Sequence, residues 1–247
     1  MSAVLVIAGS DSSGGAGLAR DLRTLAELSV PAVCALTAVT AQTHAAVRTI
    51  HRVPAAVLAA QLEAAFASAT VAAVKIGMLA SADAVDTVAA CLAARPALPV
   101  VLDPVLAASA GGELLDAAGR ARLLAALLPR VALLTPNLPE AAALLGTAVA
   151  HEEAEVLAQG RALLARGARA VLMKGGHAAG ADSIDLLLAR DAEPLRLAAP
   201  RSPLALRGSG CALASAIAAQ LARGADLAHA CARAMEYVLA LRARAAA

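Results

Sequence analysis

Short apolar runs alternate along the chain with longer segments in which apolar residues recur at helical spacing. The predicted strand and helix pairs are 3–9 with 16–28, 31–42 with 54–67, 72–77 with 82–94, 99–105 with 118–128, and 131–137 with 138–145. Strands that are apolar throughout are typical of a sheet buried on both faces. Their alternation with helices predicts an α/β fold of three layers, with a mainly parallel central sheet and helices on both faces.

The last part of the chain departs from this alternation. Its predicted elements are a helix at 152–166, strands at 170–176, 183–190 and 193–200, and helices at 209–223 and 226–244. Only a tight turn at Asp191 and Ala192 separates two of these strands, which predicts an antiparallel hairpin at an edge of the sheet. No linker or low-complexity tract stands out, so we expect one domain over residues 1–247.

The composition limits the classes of partner. Hydrophobic residues make up 60% of the chain, and Phe66 and Tyr237 are its only aromatic residues. The core must therefore consist mainly of Ala, Leu and Val. Base stacking needs aromatic side chains, and the net charge is only +2, so we expect no nucleic-acid partner.

The distribution of charged residues and cysteines bears on location. The longest run without charge, 29–47, contains Pro31 and several Thr residues, which favours a buried strand over a membrane span. No signal peptide is visible at the N-terminus. The cysteines are scattered without a C-x-x-C pair, at Cys34, Cys91, Cys211 and Cys231. We therefore expect a cytoplasmic protein with reduced thiols, three of them small core residues.

Polar residues gather where the predicted strands end. These positions are Gly9-Ser10-Asp11, Thr40-Ala41-Gln42, Gly77-Met78, Asp103-Pro104, Thr135-Pro136-Asn137 and Lys174-Gly175-Gly176-His177. The carboxyl ends of parallel strands meet at one edge of a sheet, and ligands bind there. The sequence therefore predicts a binding site at this edge.

The segment Gly208-Ser209-Gly210-Cys211 directly precedes a long predicted helix. Backbone N–H groups that converge at a helix start can form an anion hole for a phosphoryl group. Cys211 is expected in the first helical turn, where the local field lowers a thiol pKa, so it could act as a base for an attacking hydroxyl. The alternative is a glycine-rich helix entry with a packed cysteine.

Four further polar residues suit a phosphate and metal site. Lys174 could reach phosphate oxygens, whereas an isolated lysine at a strand end is more often simply exposed. Asn137 and Glu140 offer the oxygen ligands that Mg²⁺ prefers, although the same residues could cap a helix. Asp103 ends an apolar strand, where a carboxylate is costly without a partner or a metal.

Taken together, these segments resemble the hydroxymethylpyrimidine/phosphomethylpyrimidine kinases of thiamine biosynthesis, which have a ribokinase-like fold. The resemblance runs in order from the N-terminus to about residue 221. It rests on Ile7-Ala8-Gly9-Ser10-Asp11-Ser12-Ser13-Gly14-Gly15-Ala16-Gly17 with Asp21, Thr37-Ala38-Val39-Thr40-Ala41-Gln42, Lys75-Ile76-Gly77-Met78-Leu79, Val101-Leu102-Asp103-Pro104-Val105, Thr135-Pro136-Asn137-Leu138-Pro139-Glu140-Ala141 and Met173-Lys174-Gly175-Gly176-His177.

The resemblance implies phosphorylation of 4-amino-5-hydroxymethyl-2-methylpyrimidine and then of its monophosphate, with ATP and Mg²⁺, by a homodimer. It implies that Asp21 and Gln42 hydrogen-bond the pyrimidine in a pocket lined by Gly9, Thr40, Met78 and Val105. It further implies that Cys211 is the base, that Gly208, Ser209 and Gly210 form the anion hole, and that Lys174 contacts phosphates beside Asn137. Asp103 and Glu140 would then lie near the metal.

The chain departs from the family pattern before its last glycine-rich segment. The family usually has Asn-Thr-His there, whereas this chain has Ala205, Leu206 and Arg207. Arg207 adds a cation that could hold a nucleotide phosphate. The altered segment leaves open the alternative of a catalytically weak protein that binds a pyrimidine. A pyridoxal or pyridoxine kinase of the same fold is the other alternative, because related enzymes share the ring-hydroxymethyl chemistry and the cysteine.

Overall fold

The computed structural model describes residues 2–108, 111–175, 182–200 and 206–246. Within them, nine strands form one sheet in the order β3-β2-β1-β4-β5-β6-β7-β8-β9. The strands are β1 (Ala3–Asp11), β2 (Ala32–Gln42), β3 (Val47–Arg52), β4 (Val71–Ile76), β5 (Val100–Leu102), β6 (Leu133–Leu134), β7 (Ala170–Met173), β8 (Asp182–Ala189) and β9 (Leu195–Pro200). Strands β2, β1, β4, β5, β6 and β7 run parallel, whereas β3, β8 and β9 pair antiparallel at the two edges.

Helices cover both faces of the sheet. They are α1 (Gly17–Glu27), α2 (Ala55–Ser68), α3 (Ala82–Ala93), α4 (Ala117–Arg122), α5 (Leu138–Leu145), α6 (Glu153–Ala165), α7 (Ser209–Ala222) and α8 (Leu227–Ala246). One apolar layer lies between the sheet and α2, α3, α5 and α6, and the other lies between the sheet and α1, α7 and α8. Successive residues of β1 alternate between these two layers, as strand geometry requires.

Helix α7 is enclosed on all sides. The eight consecutive residues from Ala212 to Ala219 are buried, and the helix packs on β4, α1 and α8. A helix in such a position has no polar face, and five of these eight residues are Ala. Their small side chains allow the close approach of neighbouring backbones, and this packing fixes the point at which α7 begins.

The structure confirms the predicted mainly parallel sheet and the antiparallel edge at β8 and β9, but three predicted details were wrong. Strand β3 was missed because its residues include Arg48, His51 and Arg52 and are largely exposed, so it has no apolar run. The helix predicted at 118–128 changes to π geometry at Leu123–Leu127 and then to a 3-10 turn. Pro129 explains this end, because proline cannot continue the hydrogen bonding of an α-helix.

The third error concerns a cysteine. Cys34 was predicted to be a core residue, but it is exposed on β2, the strand that pairs with the edge strand β3. Cys91 is partly buried, and Cys231 is fully buried as expected.

The enclosure of α7 predicts that a larger side chain in this helix destabilises the protein. We expect Ala214→Leu to lower the free energy of unfolding by about 1–3 kcal/mol, because added methylenes have no room in a filled core. Ala60→Leu, at an exposed position of α2, is the matched control and should change it by less than about 0.5 kcal/mol. Urea denaturation measures both, and equal effects would contradict the close packing described for α7.

Candidate active site

A cavity of about 850 Å³ lies at the carboxyl ends of the parallel strands, where the sequence predicted a site. Fourteen of the fifteen predicted site residues line it, and only Asp21 does not. The lining residues from the prediction are Gly9, Thr40, Gln42, Met78, Asp103, Val105, Asn137, Glu140, Lys174, Arg207, Gly208, Ser209, Gly210 and Cys211.

One end of the cavity is largely apolar. Met78 and Leu114 belong to a small cluster with Ala38, and Val105 packs against it. A side chain at Gly9 would meet the Met78 Cε atom at 3.0 Å, so glycine keeps this end open. Thr40 belongs to the same wall, but its hydroxyl already donates to the Ser10 carbonyl at 2.7 Å. This end therefore offers a ligand an apolar surface, and the Thr40 hydroxyl proton is already used within the protein.

The opposite end carries a lysine between two carboxylates. Lys174 Nζ lies 2.9 Å from Asp103 Oδ1 and 4.0 Å from Glu140 Oε2. Burial acts to lower the Lys174 pKa, but the attraction of Asp103 and Glu140 outweighs it, so the pKa is raised and the lysine stays charged. Burial raises the pKa of Glu140 to about 7, although the positive charge of Lys174 opposes this shift.

Asn137 and Glu140 also form the capping box of α5. The Asn137 side chain accepts from the Glu140 N–H at 2.8 Å, and the Glu140 carboxylate accepts from the Asn137 N–H at 2.8 Å. The capping interpretation is thus confirmed. It leaves other oxygen lone pairs of Glu140 facing the cavity beside Asp103.

The oxygen donors of this end suit a hard cation that keeps most of its waters. Two carboxylates, Asp103 and Glu140, face the cavity together, and Mg²⁺ is commonly held by one or two carboxylates plus substrate phosphates. No group of three or more His, Cys, Asp or Glu side chains placed to hold a metal occurs in the described residues. The two carboxylates fit Mg²⁺ held jointly with substrate phosphates.

The glycine-rich segment turns sharply into α7. Gly208 has φ +73°, and a Cβ there would collide with the Gly15 carbonyl oxygen of the loop after β1. The Ala212 N–H bonds the Gly208 carbonyl at 2.9 Å, so the N–H groups of Gly210 and Cys211 precede the first helical bond and lack intrahelical acceptors. These two N–H groups and the positive end of the helix could hold an anion at the cavity wall, whereas the Ser209 N–H of the predicted anion hole already bonds the Leu206 carbonyl at 3.3 Å.

Cys211 differs from the expectation in one respect. Burial raises the pKa of its thiol to about 11, and the nearby Lys75 cation opposes that shift without overcoming it. The predicted lowering of the pKa at the helix start was therefore wrong for the protein without ligands, because desolvation of the thiolate exceeds the effect of the helix. Cys211 is a protonated thiol at neutral pH.

Asp21 lies beneath the cavity rather than in its wall, which is at odds with the expected contact to a ligand. Its carboxylate is fully buried, 2.7 Å from Lys75 Nζ, and accepts the Ser215 hydroxyl at 2.9 Å. Sequence reasoning assigned no role to Lys75, although it lines the cavity. The available signal was a charged residue within the apolar run 72–77, since a buried lysine needs a partner.

Arg207 joins three parts of the cavity rim. Its Nη2 lies 3.1 Å from Asp11 Oδ2, and its Nη1 donates to the Thr43 carbonyl at 3.0 Å. The Asp11 carboxylate also accepts the Ala16 N–H at 2.9 Å, so it organises the loop after β1. Arg207 therefore sits at the end of the cavity near β1 and β2, away from Asn137 and Lys174.

Three residues of the predicted strand ends and of the altered segment, Gly176, His177 and Ala205, lie outside the described residues.

A nucleotide-sized cavity, an anion hole at a helix start and a lysine between carboxylates on a nine-stranded α/β sheet define a small-molecule kinase of the ribokinase-like class. The chain matches the Phosphomethylpyrimidine kinase family over residues 11–246 and belongs to that family. The predicted family and fold are thereby confirmed, and the chain is a phosphotransferase of this type.

Individual relatives agree with this assignment. The chain is 46% identical to the hydroxymethylpyrimidine/phosphomethylpyrimidine kinase of Salmonella typhimurium, over 87% of this chain and 81% of that protein. It is 43% identical to the thiamine biosynthesis bifunctional protein of Geobacter sulfurreducens, over 96% of this chain and 48% of that protein.

Solved structures are similar over nearly the whole chain. Phosphomethylpyrimidine kinase from Clostridium difficile superposes with a TM-score of 0.84 at 31% identity, covering 98% of this chain and 99% of that one. Pyridoxal kinase from Staphylococcus aureus in complex with AMP-PCP and pyridoxal superposes with a TM-score of 0.87 at 29% identity, covering 97% of this chain and 87% of that one. Among the described residues, no helix is both long and apolar enough to cross a membrane.

The contact between Gly208 and Gly15 allows a test that separates two costs of a side chain at Gly208: the backbone strain of its positive φ and the collision with the Gly15 carbonyl oxygen. Gly208 and Gly146 have nearly the same φ, +73° and +69°, but a Cβ at Gly146 meets nothing within 4 Å. We expect Gly146→Ala to lower the free energy of unfolding by about 1 kcal/mol, from strain alone. Gly208→Ala should lower the free energy of unfolding by about 1–3 kcal/mol more than Gly146→Ala does, because the loop after β1 must move. Equal losses in urea denaturation would show that the two loops are not in firm contact.

Proposed function

We propose that the chain acts as a single kinase domain that phosphorylates 4-amino-5-hydroxymethyl-2-methylpyrimidine and then its monophosphate, using ATP and Mg²⁺, for thiamine biosynthesis. The observation that carries this proposal is the meeting, in one cavity, of an apolar end, the anion hole with Cys211, and Lys174 between Asp103 and Glu140. The names of the curated relatives support the choice of substrate. Cytoplasmic location and a homodimer belong to the same proposal.

The substrate ring fits the apolar end. Gly9 and Met78 would face the ring, with Val105 on the adjoining wall and Thr40 behind. Gln42 reaches the same end and offers both a donor and an acceptor, which suits an aminopyrimidine edge. We assign Asp21 an indirect role through Lys75, because its carboxylate is enclosed.

The nucleotide phosphates fit the opposite end. Lys174 and Asn137 would contact them, and Asp103 and Glu140 would hold Mg²⁺, which neutralises phosphate charge when it is bound. A cation there also favours the ionised form of Glu140, whose pKa is otherwise about 7. The sequence suggested Arg207 as a nucleotide contact, but we assign it the role of holding the rim near the substrate end, a choice that its ion pair with Asp11 supports.

In the reaction, the substrate hydroxyl oxygen forms a bond to the γ-phosphorus of ATP while the bond from that phosphorus to the ADP oxygen breaks. Cys211, as its thiolate, accepts the hydroxyl proton, and ADP takes the electron pair of the broken bond. The N–H groups of Gly210 and Cys211 stabilise the charge on the transferred group. For the second step, the attacking oxygen belongs to the monophosphate.

The first test is an assay with Mg²⁺-ATP and the hydroxymethylpyrimidine, in which mono- and diphosphate products are resolved. We expect both products, and we expect Cys211→Ala to lower kcat at least about 100-fold while the pyrimidine still binds, because general-base catalysis commonly contributes this much. Binding without turnover by the unaltered protein would instead support the alternative of a weak pyrimidine-binding protein.

Pyridoxal is the second candidate substrate, favoured by the close superposition on a pyridoxal kinase with its ligand bound. The same assay with pyridoxal separates the two. A kcat/KM higher for pyridoxal than for the hydroxymethylpyrimidine would overturn the proposed substrate but leave the kinase chemistry in place.

The raised pKa of Cys211 makes a pH prediction. Only the thiolate accepts a proton, and well below a pKa of about 11 its fraction rises tenfold for each pH unit. We expect kcat to increase between about pH 7 and pH 9. Cys211→Asp supplies a base that is already ionised in this range, so its profile should be flat, and a wild-type profile as flat as that of the variant would contradict the thiolate as base.

A further inference from the structure

Lys75 is a fully buried lysine that no step of the proposed reaction uses. It lies on β4 between Ala73 and Gly77, and its strand neighbours are Val6 on β1 and Val101 on β5. Its side chain runs toward the carboxyl end of the strand, since a Cβ at Gly77 would stand 2.7 Å from Lys75 Nζ. The ammonium group therefore ends at the floor of the cavity, which it helps to line.

Asp21 binds this ammonium group, and Ser215 on another helix binds Asp21 in turn. Asp21 of α1 accepts from Lys75 Nζ through Oδ2 at 2.7 Å and from the Ser215 hydroxyl through Oδ1 at 2.9 Å. Ser215 follows Cys211 by four residues on α7, which places both on the same face of that helix. The chain Ser215, Asp21, Lys75 thus connects the buried face of α7 to the cavity that Lys75 and Cys211 both line.

Lys75 has hydrogen-bonding capacity left over. An ammonium group has three N–H donors, and Asp21 is its one hydrogen-bond acceptor within the part of the chain that the structure describes. Asp21 lies behind it, fully enclosed, so the remaining donors face the cavity side. The charged and titratable groups that act on Cys211 there are Lys75 from β4, Lys174 after β7, Asp21 from α1 and Asp103 after β5. Lys174 already lies between two carboxylates, Asp103 and Glu140, whereas Lys75 pairs with Asp21 alone among the described residues.

We propose that Lys75 is a positioning residue that stabilises the Cys211 thiolate, and that Asp21 and Ser215 hold its ammonium group in place for this purpose. The step needs no additional reactant, because Lys75 keeps its protons throughout. Its charge only lowers the free energy of the Cys211 thiolate, and that thiolate then accepts the hydroxyl proton. The proposal rests on the proposed function in assigning Cys211 as the base.

The test measures the reactivity of Cys211 without ATP or pyrimidine. The unaltered protein and the double variant Lys75→Met with Asp21→Asn are treated with iodoacetamide at pH 8.5, and alkylation of each cysteine is followed by peptide mass spectrometry. The double variant removes both charges, so it leaves no unpaired buried charge and should fold. We expect the alkylation rate of Cys211 to be at least about threefold lower in the double variant, because a smaller fraction of its molecules carries the thiolate.

Two controls separate electrostatics from damage to the fold. Cys34 is exposed on β2, and its alkylation rate in the same samples should not change. The Tm of the double variant should lie close to that of the unaltered protein, whereas Lys75→Met alone should lower it by leaving Asp21 without its cation.

The kinase assay completes the test. We expect kcat of the double variant to fall about tenfold or more with little change in KM for ATP, because the residue acts on the base and not on the nucleotide. Unchanged Cys211 alkylation in a variant with normal Tm would overturn the proposal. If the unaltered protein phosphorylates no pyrimidine, the proposed function fails, yet the alkylation result still decides the role of Lys75.

Discussion

The burial of α7 on every side is the constraint on which the rest of the structure depends. A helix enclosed by the sheet, α1 and α8 must be nearly free of polar groups, and Ser215 is its buried exception, satisfied by Asp21. Enclosure also fixes where the helix begins. The anion hole and Cys211 are thereby held against the ends of β1 and β4 by core packing rather than by a loop alone.

Three cations that line the cavity each lie beside a carboxylate: Lys75 by Asp21, Lys174 by Asp103 and Arg207 by Asp11. Such pairs limit the cost of placing positive charge in a site that is partly closed to water. In the proposed reaction, a nucleotide phosphate would compete with Asp103 for Lys174.

Much of the fold could be predicted from the sequence because apolar runs and caps are local signals. Helix α5 was predicted with its bounds correct, since Asn137 caps its start and Gly146 takes the left-handed conformation at its end. Strand β3 could not be found, because its exposed residues carry charge and only backbone pairing with β2 defines it. At the site, the predicted strand ends identified the lining residues, but the sequence could not show which charged residues pair with one another. Asp21 and Lys75 are 54 positions apart, and the depth of Cys211 depends on elements distant in sequence.

The contact of Gly208 with the Gly15 carbonyl, together with the ion pair between Arg207 and Asp11, ties the loop after β1 to the segment before α7. These contacts link the two segments directly. Under the proposed function we expect the pyrimidine and the nucleotide to bind cooperatively, because a ligand that fixes the first loop also fixes the second segment. Thermodynamic linkage makes this cooperativity reciprocal: the factor by which the pyrimidine tightens nucleotide binding equals the factor by which the nucleotide tightens pyrimidine binding.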